Sequence, residues 1–321
     1  MAKELAGAVV VITGASSGIG QATAEAFARH GSRLILAARN GEALSRVAHA
    51  CNRLGAEALP VIADVGDAAS VRALAEKALV FGRIDFWISN AGVGAVGRFE
   101  ETPIEAHEQI IRTNLLGHIN DAHAVLPIFL RQQRGVFINM ISLGGFAAAP
   151  FATAYSASKF GLRGFSEALR GELADRPGIH ICDVYPAFVD TPGLRHGANY
   201  VGREITAPPP LIDARDVAEA IVRVARFPRA TTTVGAVTSV SRLVHLLAPD
   251  LTARILARGM ASYFKRARRV ATGDGNLYHP SADAGHIDGG LRSPHRTSRT
   301  VLVALAGIAL LGFLAARRSR R

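Results

Sequence analysis

The chain has 321 residues, 49% of them apolar and 20% charged, a globular composition that excludes a disordered tail protein, a collagen-like rod and a coiled coil. Its formal net charge is +11, yet residues 1–240 hold 23 Lys/Arg against 22 Asp/Glu, whereas residues 241–321 hold 14 against 4. With the excess confined to the last quarter, a general basic face for nucleic acid is disfavoured.

Over residues 1–240 apolar runs alternate with segments of helical period. Ala8–Thr13 reads as a strand, Gly18–His30 as a helix, Arg33–Ala38 as a strand and Glu42–Leu54 as a helix. Ala58–Ala63 (strand), Ala68–Phe81 (helix) and Ile84–Ser89 (strand) follow, then one long helix from Pro103 to Arg131. Val136–Ser142 is the next strand, Thr153–Ala174 a helix, Ile179–Tyr185 a strand, Arg215–Arg226 a helix and Thr231–Val234 a last strand. Strands that are apolar on both faces and separated by helices predict a parallel sheet covered on both sides, an α/β domain over 1–240. Residues 190–212, with the Pro-rich run Ala207–Leu211, read as a long irregular loop of the kind that carries function. Cys51 and Cys182 are too few for a disulfide framework, and Met1-Ala2-Lys3-Glu4 leads straight into a strand, so a reducing, cytoplasmic setting is expected.

The motif Thr13-Gly14-Ala15-Ser16-Ser17-Gly18-Ile19-Gly20 falls between the first strand and the first helix. A dinucleotide pyrophosphate needs that junction, where glycines admit the phosphate to the backbone and the helix N-terminus offers free N–H groups. Together with Asn90-Ala91-Gly92 after the fourth strand and Tyr155-Ser156-Ala157-Ser158-Lys159, it resembles the short-chain dehydrogenases/reductases over residues ~5–240. Asn114, Ser142 and Pro186 fall at the remaining signature positions of that family, while Ser89 and Ala187 depart from its usual Asn and Gly. The resemblance implies a Rossmann-type, doubly wound α/β fold over 1–240, a nicotinamide cofactor and interconversion of alcohols and carbonyls. It also implies that Asp64 and Val65 flank the adenine and that Val189 and Thr191 lie near the carboxamide.

At the end of the second strand an Asp or Glu would hold the adenosine ribose and repel a 2′-phosphate. This chain has Ala38 and Arg39 instead, and a guanidinium suits a phosphate, so NADP(H) is expected over NAD(H). Tyr155 and Lys159 are four apart on a predicted helix and share one face. A free phenol, with pKa near ~10, is a poor acid/base near neutral pH, and a neighbouring ammonium lowers it. The resemblance gives Lys159 the nicotinamide ribose as well, Ser142 the substrate oxygen, and Asn114 a helix perturbation with a proton-relay water. His118 and His123 form no metal spacing and read as ordinary helix residues, so no metal is expected.

Beyond residue 240 the pattern changes. Residues 241–272 read as a basic amphipathic helical extension that could cap the pocket or lie on an anionic membrane surface. Residues 273–300 read as a polar linker. Val301–Ala316 carries no charge and is followed by an Arg-rich end at 317–321. As a helix it would span roughly 24 Å against a hydrocarbon core of roughly 30 Å, short but rescued by snorkelling arginines. The expectation is therefore a membrane-associated, NADP(H)-dependent enzyme acting on an apolar secondary alcohol, ketone or aldehyde. The loop residues Leu194, Tyr200, Val201 and Ile205 supply the apolar bias, and a homo-oligomer stays open. The alternatives are a soluble broad-range carbonyl or quinone reductase and a non-catalytic, cofactor-sensing membrane scaffold. A nucleic-acid-binding tail lacks interleaved aromatics, since residues 265–321 hold only Tyr278 and Phe313.

Overall fold

The computed structural model describes residues 3–281 and 285–292. Seven parallel strands form the central sheet: β1 (Val9–Thr13), β2 (Arg33–Ala38), β3 (Glu57–Ile62), β4 (Phe86–Ser89), β6 (Gly135–Met140), β7 (Ile179–Pro186) and β9 (Thr231–Val234). Their order, β3-β2-β1-β4-β6-β7-β9, reverses direction between β1 and β4, where a doubly wound sheet opens its ligand crevice. A second, two-stranded sheet joins β5 (Ala95–Val96) to β8 (Ala198–Asn199), pairing the segment after β4 with the 190–212 loop.

Alternation along each strand supplies both faces of the sheet with apolar side chains. Val10 and Ile12 of β1, Leu34 and Leu36 of β2 and Ile88 of β4 pack under α1 (Gly18–Ala28), α2 (Gly41–Arg53) and α8 (Ala214–Arg226). Val11, Ile35, Trp87 and Phe137 pack against α3 (Ala68–Ala78) and α5 (Gly117–Gln132) on the other face. Asn40, Asp67 and Asp213 cap α2, α3 and α8 by accepting from Ala43, Ala69 and Arg215 N–H.

Three expectations need correction. The helix expected from Pro103 to Arg131 is split into α4 (Ile104–Ile111) and α5 by a wide π turn over Arg112–Leu116, which turns Thr113 and Asn114 into the interior. The extension beyond the sheet begins earlier and is two helices, α9 (Ala236–Leu247) and α10 (Pro249–Arg266), divided where Pro249 can start a helix but not continue one. The stretch expected as a linker packs on the domain over its described residues 273–281 and 285–292. Leu277 and Ile287 are buried there, and the backbone of Asn199 pairs with that of Gly273. Polar composition had hidden this packing, which runs on main-chain hydrogen bonds and ion pairs. Val301–Ala316 lies outside the described residues, and among those described no helix is long and apolar enough to cross a membrane.

Candidate active site

The glycine loop and most other motif residues come to the carboxyl edge of the sheet because they end or follow a strand, whereas Asn114, Tyr155 and Lys159 are brought there by helices. Thr13–Gly20 joins β1 to α1, Arg39 follows β2, Asp64 and Val65 follow β3, and Asn90–Gly92 follows β4. Ser142 follows β6, while Pro186 ends β7 and leads to Val189 and Thr191. Gly14 has φ +67°, which favours glycine, and a Cβ on Gly20 would collide with the Gly14 carbonyl oxygen. Asn90 Nδ2 donates to the carbonyls of Thr13 (3.0 Å) and Gly14 (3.3 Å), locking the β4 loop to the glycine loop. Asp64 steadies its own turn by accepting from Gly66 N–H (2.8 Å), and the Val65 carbonyl accepts from Asn120 (2.8 Å).

Tyr155 and Lys159 project from one face of α6 (Thr153–Glu172). Burial pushes the Tyr155 phenol above its ordinary pKa, against the lowering effect of the neighbouring Ser142 hydroxyl. The Ser142 backbone takes φ +140°, a conformation L residues rarely adopt, and its Oγ accepts from Gly144 N–H at 3.1 Å. Lys159 is 5% exposed, donates from Nζ to the Met140 carbonyl (3.0 Å), and lies 5.8 Å from the Tyr155 ring centre. Burial lowers its ammonium to about 7. Asn114, on the π turn, accepts from Val93 N–H and donates to Val93 carbonyl, both at 2.8 Å, and reaches Ser158 at 3.4 Å. Its amide thus ties α4–α5 to the segment after Asn90-Ala91-Gly92 and to α6.

Two further residues belong to this scaffold: His118, read from the sequence as an ordinary helix residue, and Asp121, which the sequence reading passed over. His118 bridges Asn139 and the Ala91 carbonyl, and burial lowers it to about 3, so its ring is neutral. Asp121 accepts from Ser89 (2.6 Å) and Thr13 (3.0 Å), and burial raises it to about 7. Ser89, at the position where the family usually has Asn, thereby has a partner. Asn114, His118 and Asp121 recur at intervals of four and three, a buried polar series running from the π turn into α5. That spacing was the available signal.

The C-terminal stretch reaches the same cleft. Arg39 spends its guanidinium on three carbonyls, those of Asn276 (2.7 Å), Tyr278 (3.1 Å) and Leu277 (3.3 Å). Ser17, at the N-cap of α1, makes no side-chain cap, and Gly18 N–H donates to the His286 carbonyl at 2.8 Å. Oxygen acceptors already sit on a loop amide and on the guanidinium, the donor set that dinucleotide phosphate oxygens require, so the residues present fit a nicotinamide dinucleotide. Asp190, 2% exposed and next to Thr191, accepts from the backbone of Leu291 (2.9 Å) and from Arg292 Nε (3.2 Å).

The sequence model for short chain dehydrogenases matches residues 8–198. An uncharacterized oxidoreductase of Bacillus subtilis, YxnA, is 31% identical over 99% of this chain and 93% of its own. Estradiol 17-beta-dehydrogenase 11 of Mus musculus is 32% identical over 62% of this chain and 68% of its own. Among solved structures, a short chain dehydrogenase/reductase from Burkholderia phymatum in complex with NAD gives a TM-score of 0.67 at 27% identity, covering 84% of this chain and 99% of that one. An alcohol dehydrogenase from Thermococcus sibiricus complexed with 5-hydroxy-NADP gives 0.63 at 28% identity, covering 72% and 97%. With the fold, the glycine loop and a relative aligned along nearly the whole chain, this protein belongs to the short-chain dehydrogenase/reductase family, as an oxidoreductase with a nicotinamide cofactor site.

Proposed function

We propose that the protein is an NADP(H)-dependent oxidoreductase that interconverts an apolar secondary alcohol with its ketone, or reduces an aldehyde. The observation that carries this reading is the convergence of Tyr155, Ser142 and Lys159: Tyr155 and Ser142 both flank Gly144, Lys159 Nζ lies 5.8 Å from the Tyr155 ring centre, and Asn114 braces the adjoining segment. When bound, the nicotinamide ring supplies or accepts the hydride. Tyr155 Oη gives its proton to the carbonyl oxygen in reduction, and Ser142 Oγ holds that oxygen in place. A phenol raised by burial stays protonated at neutral pH, the form that reduction uses. Alcohol oxidation needs the phenolate instead, so its rate should climb with pH. Lys159, on the same helix face, holds the cofactor ribose in this reading; with its ammonium lowered to about 7 by burial it favours the phenolate only where it stays protonated, and the expected lowering of the Tyr155 phenol gives way to a rise by burial.

The remaining cofactor assignments follow the same reading. Thr13, Gly14, Ser16, Ser17, Gly18, Ile19 and Gly20 take the phosphates, and Asp64 and Val65 flank the adenine. Asn90, Ala91 and Gly92 form the floor of the cleft, and Pro186, Val189 and Thr191 lie at the carboxamide end. Ala38 leaves β2 without an acid against a 2′-phosphate, and Arg39 is the cation offered to it. An apolar substrate is supported by the cluster of Val93, Ala95, Ala154 and Ala198 against which Tyr155 packs. It is also the kind of substrate named for the mouse relative.

Membrane association completes the proposal. Leu243, Leu246, Leu247, Leu251 and Ile255 leave an apolar face of α9 and α10 open, between 39% and 77% exposed, beside Arg242, Arg254 and Arg258. The inner side of α10 rests on the substrate end, with Phe264 edge-on to Phe151 and Tyr263 donating to the Glu204 carbonyl at 2.8 Å. Both placements weighed for this extension therefore have support. The test is to present purified full-length protein with steroid, retinoid and fatty-chain alcohols and ketones, with each cofactor, following nicotinamide absorbance. Turnover of at least one class with NADP(H) is expected, and no turnover with any would overturn the reading. For the membrane part, full-length protein should pellet with membranes and resist a high-salt wash; recovery wholly in the soluble fraction would refute it.

A further inference from the structure

The three carbonyls around Arg39 have a consequence for cofactor choice. Guanidinium offers five N–H donors in a rigid fork, the geometry that a terminal phosphate accepts from. Here that fork is occupied by main-chain oxygens of Asn276, Leu277 and Tyr278. Carbonyl oxygens carry negative partial charge, so a phosphate cannot join them at the same fork without repulsion and has to replace them.

The stretch is fastened on both sides of Arg39. Leu277 is fully buried in the apolar cluster that includes Val93, Ala95 and Ala198, and Asn276 N–H donates to the His196 carbonyl at 2.7 Å. Asn199 and Gly273 exchange backbone hydrogen bonds at 2.8 and 3.0 Å. On the far side Asn40 Nδ2 donates to the Ser281 carbonyl at 3.0 Å. These anchors lie on β8, on the substrate-side cluster and at the start of α2, so the carbonyls are held against Arg39 from outside the arginine itself.

We propose that residues Asn276–Tyr278 are an internal occupant of the 2′-phosphate subsite, and that this stretch sets the discrimination between NADP(H) and NAD(H). The proposal rests on the nicotinamide reading above. NAD(H) has no 2′-phosphate and leaves the arginine–carbonyl cluster intact, while the His286 carbonyl on Gly18 N–H faces the phosphates of both cofactors alike and does not enter their ratio. NADP(H) binds fully only in molecules whose Arg39 is free, so its apparent affinity is reduced by the fraction in that state.

The experiment uses the full chain and measures dissociation constants for NADPH and NADH by nicotinamide fluorescence, in the wild type and in Leu277→Asp. The substitution places a charge in the buried cluster and expels the stretch while leaving the Arg39 side chain itself unchanged. The NADPH constant should fall by about tenfold relative to that for NADH, as for a stretch bound in about nine molecules of ten. Hydrogen exchange of the wild type supplies a second reading that needs no variant. NADPH should accelerate exchange in residues 276–281, and NADH should leave it unchanged. An unchanged NADPH/NADH ratio, an equal gain for both, or protection of 276–281 by NADPH overturns the proposal, because the stretch would then be neutral, a general block or part of the cofactor's own site. If neither cofactor binds to wild type or variant, the nicotinamide reading fails first and this proposal with it.

Discussion

The sheet and the C-terminal stretch build the same cleft by opposite means. The sheet does so with apolar periodicity: Val11, Ile35, Trp87 and Phe137 are fully buried, and the strand ends they fix deliver Thr13, Asn90 and Ser142 to one edge. Residues 273–281 and 285–292 contribute few apolar anchors, chiefly Leu277 and Ile287, and are held by carbonyls, amides and an ion cluster. In that cluster Arg292 reaches Asp190, Asp213 and Asp288, and Arg215 reaches Asp288. Burial of large side chains fixes position at high energy, whereas partly exposed ion pairs each contribute little. The first region is fixed by large buried area, and the second by contacts that cost less to break.

That contrast can be broken most severely at the sheet. Trp87→Ala removes a fully buried ring from the middle of β4 and should cost about 3–5 kcal/mol of unfolding free energy, measured by urea denaturation. Cofactor binding would be lost only through unfolding.

The buried polar series gives a pH-dependent version of the same test. Asp121 has a folded pKa of about 7 against an ordinary 3.8, so the folded state binds more protons between those values. Its contribution to stability is greatest below the lower value and declines as pH rises through 7. His118, lowered to about 3, acts in the opposite sense between 3 and 6.5, so the wild type alone would mask the effect. The difference between wild type and Asp121→Asn isolates it. The wild type should lose ground to the variant by up to about 1.4 kcal/mol per pH unit from pH 4 to 7. A difference that is flat across that range would mean that Asp121 is not the titrating group.

In the C-terminal region Arg292→Met leaves Asp190 with backbone donors alone, and the expected loss is about 1–3 kcal/mol. Faster hydrogen exchange should appear in residues 285–292 while the sheet stays protected. Equal deprotection of the sheet would contradict the separation of the two regions. The smallest effect belongs to the outer face of α9: Leu246→Ser with Leu247→Ser should change stability by no more than about 0.5 kcal/mol. The same pair should reduce binding to anionic vesicles, and unaltered binding would remove these residues from the membrane surface.

The contrast also explains what could be read from the chain. Strand and helix positions through Thr231–Val234 follow from patterning, because a parallel sheet covered on both faces leaves a strong apolar signature. Gly14 and Gly20 were legible since backbone geometry demands glycine there. The π turn at Asn114 left no signature in hydrophobic period, being produced by amide bonds to Val93, 21 residues away. The partners of Arg39 were beyond reach for a different reason. They are carbonyl oxygens, which every residue carries, and they come from a stretch more than 230 residues along the chain.

The central claim is that Tyr155 is the proton donor of a nicotinamide-dependent oxidoreductase. The direct measurement compares wild type with Tyr155→Phe in two assays on the same preparations: nicotinamide oxidation with an accepted ketone, and NADPH binding by fluorescence. Removing only the phenolic proton should lower turnover by about 10²- to 10⁴-fold while the dissociation constant for NADPH stays within about twofold. Turnover by Tyr155→Phe near the wild-type rate on every accepted substrate would contradict the account.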